Sequence, residues 1–580
     1  MQAIIYYDGE CPFCSRYADY QRLQEMLGSV ELVDLRTAHV QRCRLQAQGF
    51  DLDQGMVLDL DGELHAGDDA VHRLALLSTS NGLLSRLNRS ILGSRSGAAL
   101  VYPLLRLGRN ASLLALGRRP LVSDDAGTQA WQTLFCMALG LFAFLHSLSY
   151  MVQYYATMYW TTWLVAPLGL ALFFLPNSRR LFLTLVLCMS VDAWRHMPIL
   201  SNHTILKNVF LAGLLGSGTW YALKGGRWRD FLDDAAPIGR AALVCMYIFG
   251  VFHKINTDFL NPDVSCAVVL WRAMPQYLSW IDTPWFHILT IYGTLVIETI
   301  ILLCLLFRRT RHTGIILGIG FHGLLAMSNY ALFLPFSMLT IALHLLFLDK
   351  GSALQIVQSP LWRNLMARMY SPKGLVAMAL WFSVMAVMIW LRLFSAVAVV
   401  WLLAIGLLCY AIAMHGHAEP STSAGRMLWS RLWWLNSLSV LFFVSCLSPY
   451  LGLKTAQSMN MFANLRLEGG ASNHLVFPDP PGPFGYLADT VEIVSASHSL
   501  YLGRLQHEAA GVTYYDLLDK LERNPEIVVS YRRAGQLYQR QSAATLASDI
   551  NAVLHPRWAR NFFHFNSVDL ETPKRCATDR

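Results

Sequence analysis

Charge is scarce in this chain. Of 580 residues only 14 % are Asp, Glu, Lys or Arg, against 54 % hydrophobic, and the mean hydropathy is +0.37. Soluble domains carry about 25 % charged residues, so much of this surface must face lipid. Clustered basic residues are missing too. The formal net charge is +8, but Lys and Arg punctuate the apolar runs instead of sharing one soluble face. That argues against a nucleic-acid partner and for loops on the cytoplasmic side of a bilayer. The first residues, MQAIIYYDGECPFC, reach Asp8 and Glu10 with no basic region before them, so no signal peptide is expected there. Cysteine pairs are equally rare. The eleven cysteines stand at 11, 14, 43, 136, 188, 245, 266, 304, 409, 446 and 576, and only Cys11 and Cys14 form a motif. Several of the others lie inside apolar segments, where Cys acts as a small hydrophobe.

What is present divides the chain in three. Residues 1–115 read as an α/β, thioredoxin-like domain. A strand at Ala3–Tyr7, a helix from Cys11 to about Leu27, a strand at Val30–Val33 and a helix through Val40–Gln48 come first. A hairpin of Met56–Leu60 and Glu63–His65 around Asp61-Gly62 follows, then a helix opened by Asp68. After a linker through Arg118 and Arg119, residues 125–453 read as an all-α polytopic transmembrane bundle. About eleven apolar segments, from Trp131–Met151 to Trp433–Leu451, approach the ~20 residues a bilayer requires. Residues 454–580 read as a small α+β domain. There Thr513 and Asp516 predict a capped helix through Arg523, and Glu526–Arg532 with Gln536–Gln541 predict a hairpin across Ala534-Gly535.

Charge sets the expected orientation. Arg118/Arg119, Arg179/Arg180, Lys224/Arg227/Arg229, Arg308/Arg309/Arg311, Lys350/Arg363/Arg368 and Arg426/Arg431 fall on alternate loops. By the positive-inside rule these are cytoplasmic, which places the N-terminal domain inside and the C-terminal domain on the extracytoplasmic side.

Cys11-Pro12-Phe13-Cys14 follows a strand and opens a helix. The positive end of a helix dipole stabilises a thiolate at Cys11, and Cys14 is spaced to resolve a mixed disulfide. The bland alternatives are half a zinc site or two idle thiols. Cys43, His39, His65 and His72 lack the paired spacing of metal ligands, and no metal is expected. Tyr7-Asp8-Gly9-Glu10-Cys11-Pro12-Phe13-Cys14, with Gly67-Asp68-Asp69-Ala70-Val71 downstream, resembles the DCC thiol-disulfide oxidoreductase family, named for its Asp-x-x-Cys-x-x-Cys motif. The resemblance implies a redox-active disulfide and a protein thiol or disulfide as substrate. Pro12 is the sole proline among the first hundred residues, so the proline that usually faces a thioredoxin dithiol is missing and substrate docking is expected to differ.

Ionisable residues within membrane segments are expensive and therefore functional candidates. Asp192, Arg195 and His196 share a helix face; His253 and Lys254 end one segment, His322 lies in another and Glu298 in a third. The plain alternative is mutual neutralisation inside the bundle, or snorkelling of Lys254 to the interface. Tyr247, Gly250, His253, Lys254, Asn256, Asp258 and Phe259, with Phe321-His322, resemble the vitamin K-dependent γ-carboxylase family and the related HTTM membrane proteins. Met461-Phe462, Asn464-Leu465 and Ser472-Asn473-His474 also resemble HTTM proteins.

That resemblance, over about residues 125–480, implies a reduced quinone of menaquinone or vitamin K type. Lys254 is then its base and His322 a member of the same catalytic site. His253, Asn256, Asp258 and Asn329 are the remaining cofactor-binding candidates. A lysine is a base only as the neutral amine, the form that apolar surroundings favour. Two repeated tripeptides, Ser201-Asn202-His203 and Ser472-Asn473-His474, are candidates for one shared polar site on the outer face. The competing readings are a transporter lined by the intramembrane charges, and a non-catalytic membrane scaffold carrying a redox-sensing dithiol.

Overall fold

The computed structural model describes residues 2–9, 29–48, 50, 52, 56–77, 94, 101, 125–153, 160–196, 201–224, 231–276, 280–330, 332–416, 427–479, 482–497, 510–560, 562–569 and 573–576. The chain forms two compact units. One holds Met1–Thr128 with Glu419–Arg426 and Arg431–Trp434, and the other holds the remainder.

In the first unit, alternating residues build a two-faced sheet. Strands β1 (Gln2–Tyr7), β2 (Ser29–Asp34), β3 (Val57–Leu60) and β4 (Glu63–Ala66) lie in the order β2-β1-β3-β4. The β1–β2 pair is parallel and the other two are antiparallel. The period of two sends Ala3, Ile5 and Leu58 to one core with Ala70 and Leu74 of helix Gly67–Leu77. Tyr6 and Val57 pack on the other face with Leu45 of helix His39–Ala47. These helices are α2 and α1 in chain order. The β3–β4 hairpin turns on Asp61 (φ 50°) and Gly62 (φ 95°), both left-handed as a two-residue turn of this type needs. The helix expected from Cys11 to Leu27 lies outside the described residues.

The second unit is helical before it is β. Its helices are α3 (Asp125–Gln153), α4 (Trp160–Phe174), α5 (Arg179–His196), α6 (Asn202–Lys224), α7 (Phe231–Phe252), α8 (Thr257–Leu260), α9 (Cys266–Arg272), α10 (Pro284–Leu306), α11 (Arg311–Leu325), α12 (Phe333–Leu345), α13 (Lys350–Gln358), α14 (Pro360–Met369), α15 (Pro372–Trp390), α16 (Phe394–His415) and α17 (Asn436–Leu447). Six stretches among the described residues are long and apolar enough to cross a bilayer: Ala126–Gln153, Phe231–Phe252, Pro284–Leu306, Pro372–Trp390, Phe394–His415 and Trp433–Leu451. The pair α12 and α13, bent by 106°, makes a seventh if it is one span.

The eleven segments expected from sequence therefore reduce to six or seven by this measure. Helices α4, α11 and α12 have 15, 15 and 13 residues, short of a straight crossing. Helix α5 carries Arg179, Arg180, Asp192 and Arg195, and α6 carries Lys207, Asn208 and Ser217.

Close packing explains how short and polar helices find a place. Gly140 of α3 and Gly169 of α4 face each other so closely that a Cβ on Gly140 would sit 2.5 Å from the Gly169 carbonyl oxygen. The hydrophobic windows of α3 and α7 are 72 % buried and those of α10 and α15 only 17 %, so the first two form the centre and the last two the lipid-facing wall.

The C-terminal part carries a five-stranded antiparallel sheet in the order β8-β7-β5-β6-β9. Its strands are β5 (Thr490–Ala496), β6 (Ala510–Thr513), β7 (Val529–Arg533), β8 (Gln536–Gln541) and β9 (Val568–Asp569). Leu517, Leu518 and Leu521 of α18 (Tyr514–Arg523) cover it. Thr513 caps that helix by accepting from the Asp516 amide, and β7 turns into β8 on Ala534 (φ 48°) and Gly535 (φ 80°). A disulfide joins Cys266 to Cys576 across 310 residues, a pairing the scattered cysteines did not suggest.

Candidate functional site

The approach to the dithiol is built with care, although Cys11 and Cys14 themselves lie outside the described residues. Asp8 is buried and receives two hydrogen bonds from Arg36, Nε to Oδ1 at 2.7 Å and Nη2 to Oδ2 at 3.1 Å. The Gly9 amide donates to Asp34 Oδ1 at 3.0 Å. A Cβ on Gly9 would lie 2.3 Å from Asp34 Oδ2, so any larger residue there would displace that carboxylate.

In the helical unit the candidate residues converge on the end of α7. Tyr247, Gly250 and Lys254 are three and four residues apart and share one face. Glu298 of α10 faces Gly250, its Oε2 at an ordinary contact distance of 3.7 Å from where a Cβ would sit. Lys254 Nζ donates to that same oxygen at 2.5 Å, with side-chain exposures of 8 % and 13 % for Lys254 and Glu298. On the opposite side α10 turns Val296, Ile300 and Leu303 outward, while Ile291, Ile301 and Leu305 are buried.

Beside it runs a chain of three aromatic donors and acceptors. Tyr247 OH lies 3.0 Å from His322 Nε2 and 3.1 Å from His344 Nε2, and His344 Nδ1 is 2.7 Å from the Thr340 carbonyl oxygen. Only a protonated Nδ1 can donate to that carbonyl, so in the neutral ring Nε2 of His344 accepts from the Tyr247 hydroxyl. The Tyr247 oxygen then accepts from His322 Nε2–H, which leaves His322 Nδ1 as a bare acceptor. That atom is buried and has no hydrogen-bond partner among the described residues. Gly318 makes the relay possible, because a Cβ there would sit 2.0 Å from His344 Nε2.

The remaining candidates brace this centre. His253 is fully buried, with Nε2 donating to the Ser458 carbonyl at 2.9 Å and Nδ1 accepting from Tyr450 OH at 2.7 Å. Both ring nitrogens are spent on protein partners. Asn256 caps α8 by accepting from the Asp258 and Phe259 amides, and its Nδ2 donates to the His253 and Ala463 carbonyls. Asp258 Oδ2 accepts from Asn473 Nδ2 at 2.8 Å and from the Lys574 amide at 2.9 Å. Asn464 Oδ1 accepts from the Cys266 amide at 2.8 Å, beside the disulfide.

The structure thus joins Asn256, Asp258, Asn464 and Asn473 into one polar clamp. Asn329 stands apart, and its amide donates to the Ala273 carbonyl at 3.2 Å. Over His253 the chain passes through four left-handed non-glycine residues, Gln457, Met459, Phe462 and Asn464 (φ 52–59°), a concentration of backbone strain typical of constrained sites.

The two Ser-Asn-His tripeptides do not build a common site. Asn202 accepts from the Met459 amide, whereas His474 Nε2 donates to the Phe252 carbonyl and its Nδ1 accepts from the Val476 and Phe477 amides. Burial draws the His474 ring below the usual histidine value. Of the Asp192, Arg195 and His196 group, Asp192 and His196 approach to 3.6 Å, while Arg195 lies 5.9 Å from the Trp160 ring. Sequence reasoning overlooked His344. The available signal was an ionisable residue within an apolar run, the one that singled out His322.

A family model described as DCC1-like thiol-disulfide oxidoreductase matches residues 5–114. No curated protein and no solved structure matches the chain. The match takes in the Asp8 approach and the dithiol motif and stops ahead of the membrane helices, so the γ-carboxylase resemblance of those helices has no support from it.

Proposed function

We propose that this protein is an integral membrane thiol-disulfide oxidoreductase with a second, hydroxyl-accepting site in its helical part that takes a reduced quinone. The family match at residues 5–114 supports the first half. The mixed sheet with β1 at its centre supports a thioredoxin-like reading of that domain. In this reading the Cys11 thiolate attacks a protein disulfide, forming a mixed disulfide and releasing one substrate thiolate. Cys14 then displaces the second, so that two electrons pass to the substrate and Cys11–Cys14 becomes oxidised. The same steps run backwards when the substrate is a dithiol.

One observation carries the second half. A buried imidazole nitrogen, His322 Nδ1, has no hydrogen-bond partner among the described residues, and its ring is bonded to Tyr247 of α7, the helix whose end carries an amine paired to a carboxylate. An apolar ligand bearing a hydroxyl fits that combination. A quinol supplies two-electron chemistry once it can lose a hydroxyl proton. His322 Nδ1 accepts that hydroxyl and orients it, Tyr247 and His344 hold the His322 tautomer, and Lys254 takes the proton as the neutral amine with Glu298 holding the other. Water is excluded by the helices around the pair. We place His253, Asn256 and Asp258 as positioning residues for Lys254, because their polar atoms are already committed to the protein.

The basic loops support a cytoplasmic dithiol domain, and the Cys266–Cys576 disulfide supports an oxidising, extracytoplasmic location for the C-terminal domain. The test is photolabelling of the full-length protein in nanodiscs with an azido-quinone. The label should map to α7, α10 or α11 and fall in Lys254→Met and His322→Leu. Label spread evenly over lipid-facing helices, or unchanged in both variants, would sink the quinone half and leave the dithiol half standing.

A further inference from the structure

The His322 site has a neighbour across one ring. Phe336 of α12 packs edge-on to His322 at 5.2 Å and lies 6.4 Å from the His203 ring. Behind it is a second buried polar group that the proposed chemistry does not use. Lys207 of α6 is 4 % exposed, and its Nζ donates to His146 Nε2 of α3 at a long 3.5 Å. No carboxylate stands within ion-pair distance of that amine among the described residues. The facing groups are otherwise spoken for. His203 Nδ1 pairs with Ser201 Oγ at 2.9 Å, and Tyr150 OH pairs with the same oxygen at 2.8 Å. Asp192 Oδ1, the acid nearest in charge terms, accepts from Thr161 and Thr162 at 2.8 and 2.5 Å, while His196 flanks its other oxygen.

A buried cation without a counter-charge is several kcal/mol dearer than one that has it. The hydrogen-bond inventory says what is missing. If Nζ donates to Nε2 of a neutral His146, the proton of that ring sits on Nδ1, and Nδ1 is buried with no partner among the described residues. Lys207 keeps two further N–H groups beyond the one it gives to His146. The cluster therefore holds surplus donors and an ammonium group with no carboxylate at ion-pair distance, while Asp192 is committed to Thr161 and Thr162.

We propose that Lys207 and His146 form an intramembrane binding site for a small monovalent anion, a halide or the carboxylate group of a ligand. One charge and a lining that includes Phe142, 5.1 Å from the His146 ring, suit a singly charged anion that sheds its water readily. They do not suit sulfate or phosphate. The site is independent of the quinone reading.

The experiment uses the full-length protein in nanodiscs and reads chlorine-35 line broadening in one arm and carbon-13 formate line broadening in the other. Saturable broadening by at least one anion is expected, with binding about tenfold weaker or worse in Lys207→Met and largely kept in Lys207→Arg. Chloride alone would assign a halide, formate alone a carboxylate. If Lys207→Met does not fold, His146→Gln carries the same expectation. Absence of saturable broadening by either ion, or a Lys207→Met variant that binds as the wild type does, overturns the proposal.

Discussion

Lys254 Nζ and Glu298 Oε2 lie 2.5 Å apart, 44 residues distant in sequence, and join the end of α7 to α10. Neither charge is tolerable alone in apolar surroundings, and as an ion pair they neutralise each other.

Breaking the pair from one side should be worse than removing it. Lys254→Met strands a carboxylate and Glu298→Gln strands an ammonium, and each is expected to destabilise by about 3–5 kcal/mol. The double variant should recover most of that loss. Thermal unfolding of the four proteins in one detergent gives the coupling directly. Additive losses would mean that the two groups do not depend on each other.

The Tyr247 relay can be broken without touching a polar atom. Gly318→Ala places a methyl group 2.0 Å from the present position of His344 Nε2 and must push that ring away. Azido-quinone labelling should fall several-fold while the circular dichroism of the helices stays the same. Labelling at the wild-type level would show that His344 does not orient His322.

A covalent tie holds the last described segment to α9. Cys266→Ser should free Cys576 for labelling by maleimide and expose the residues near Lys574 to protease, because Lys574 reaches Asp258 and Leu465 only when that segment is seated. A native disulfide of this kind typically contributes 2–5 kcal/mol. Cys576 that is already reactive in the wild type would contradict the pairing.

The C-terminal sheet should weaken in acid through Asp516. Burial works against its charged form, but the Lys520 ammonium outweighs it, with His564 adding to the effect, and the carboxyl is held below the usual carboxylate range. For a carboxyl depressed in the folded state the sign is fixed: the contribution is complete above the unfolded value near 3.9 and is lost as pH falls through the folded one. Hydrogen-exchange protection of α18 should therefore drop below about pH 4 by some 1–3 kcal/mol in the wild type. Asp516→Asn should show a flatter profile and lower protection at pH 7.

Local signals read well from sequence where one short segment decides its own geometry. Asp61-Gly62 and Ala534-Gly535 announce turns because both positions need left-handed backbone, and Thr513 announces a helix start because its hydroxyl meets an amide three residues on. The stretch from Tyr247 to Lys254 was singled out by a resemblance and not by its own geometry. The Cys266–Cys576 bond was not legible, since neither cysteine has a motif and 310 residues intervene.

The excess of expected spans has a physical cause as well. Apolar composition was counted segment by segment, whereas α4, α11 and α12 are short pieces that need not cross alone. In α5, Asp192 is matched inside the bundle by Thr161 and Thr162. The unpartnered His322 Nδ1 is a property of the fold alone, because it follows from where His344 and Thr340 stand.

The most direct test of the central claim is mass spectrometry of lipids extracted from the purified, full-length protein and from Lys254→Met. We expect an isoprenoid quinone to co-purify at close to one per chain with the wild type and to be several-fold depleted in the variant. Equal quinone in both, or none in either, would contradict a quinone site at the Lys254–Glu298 pair.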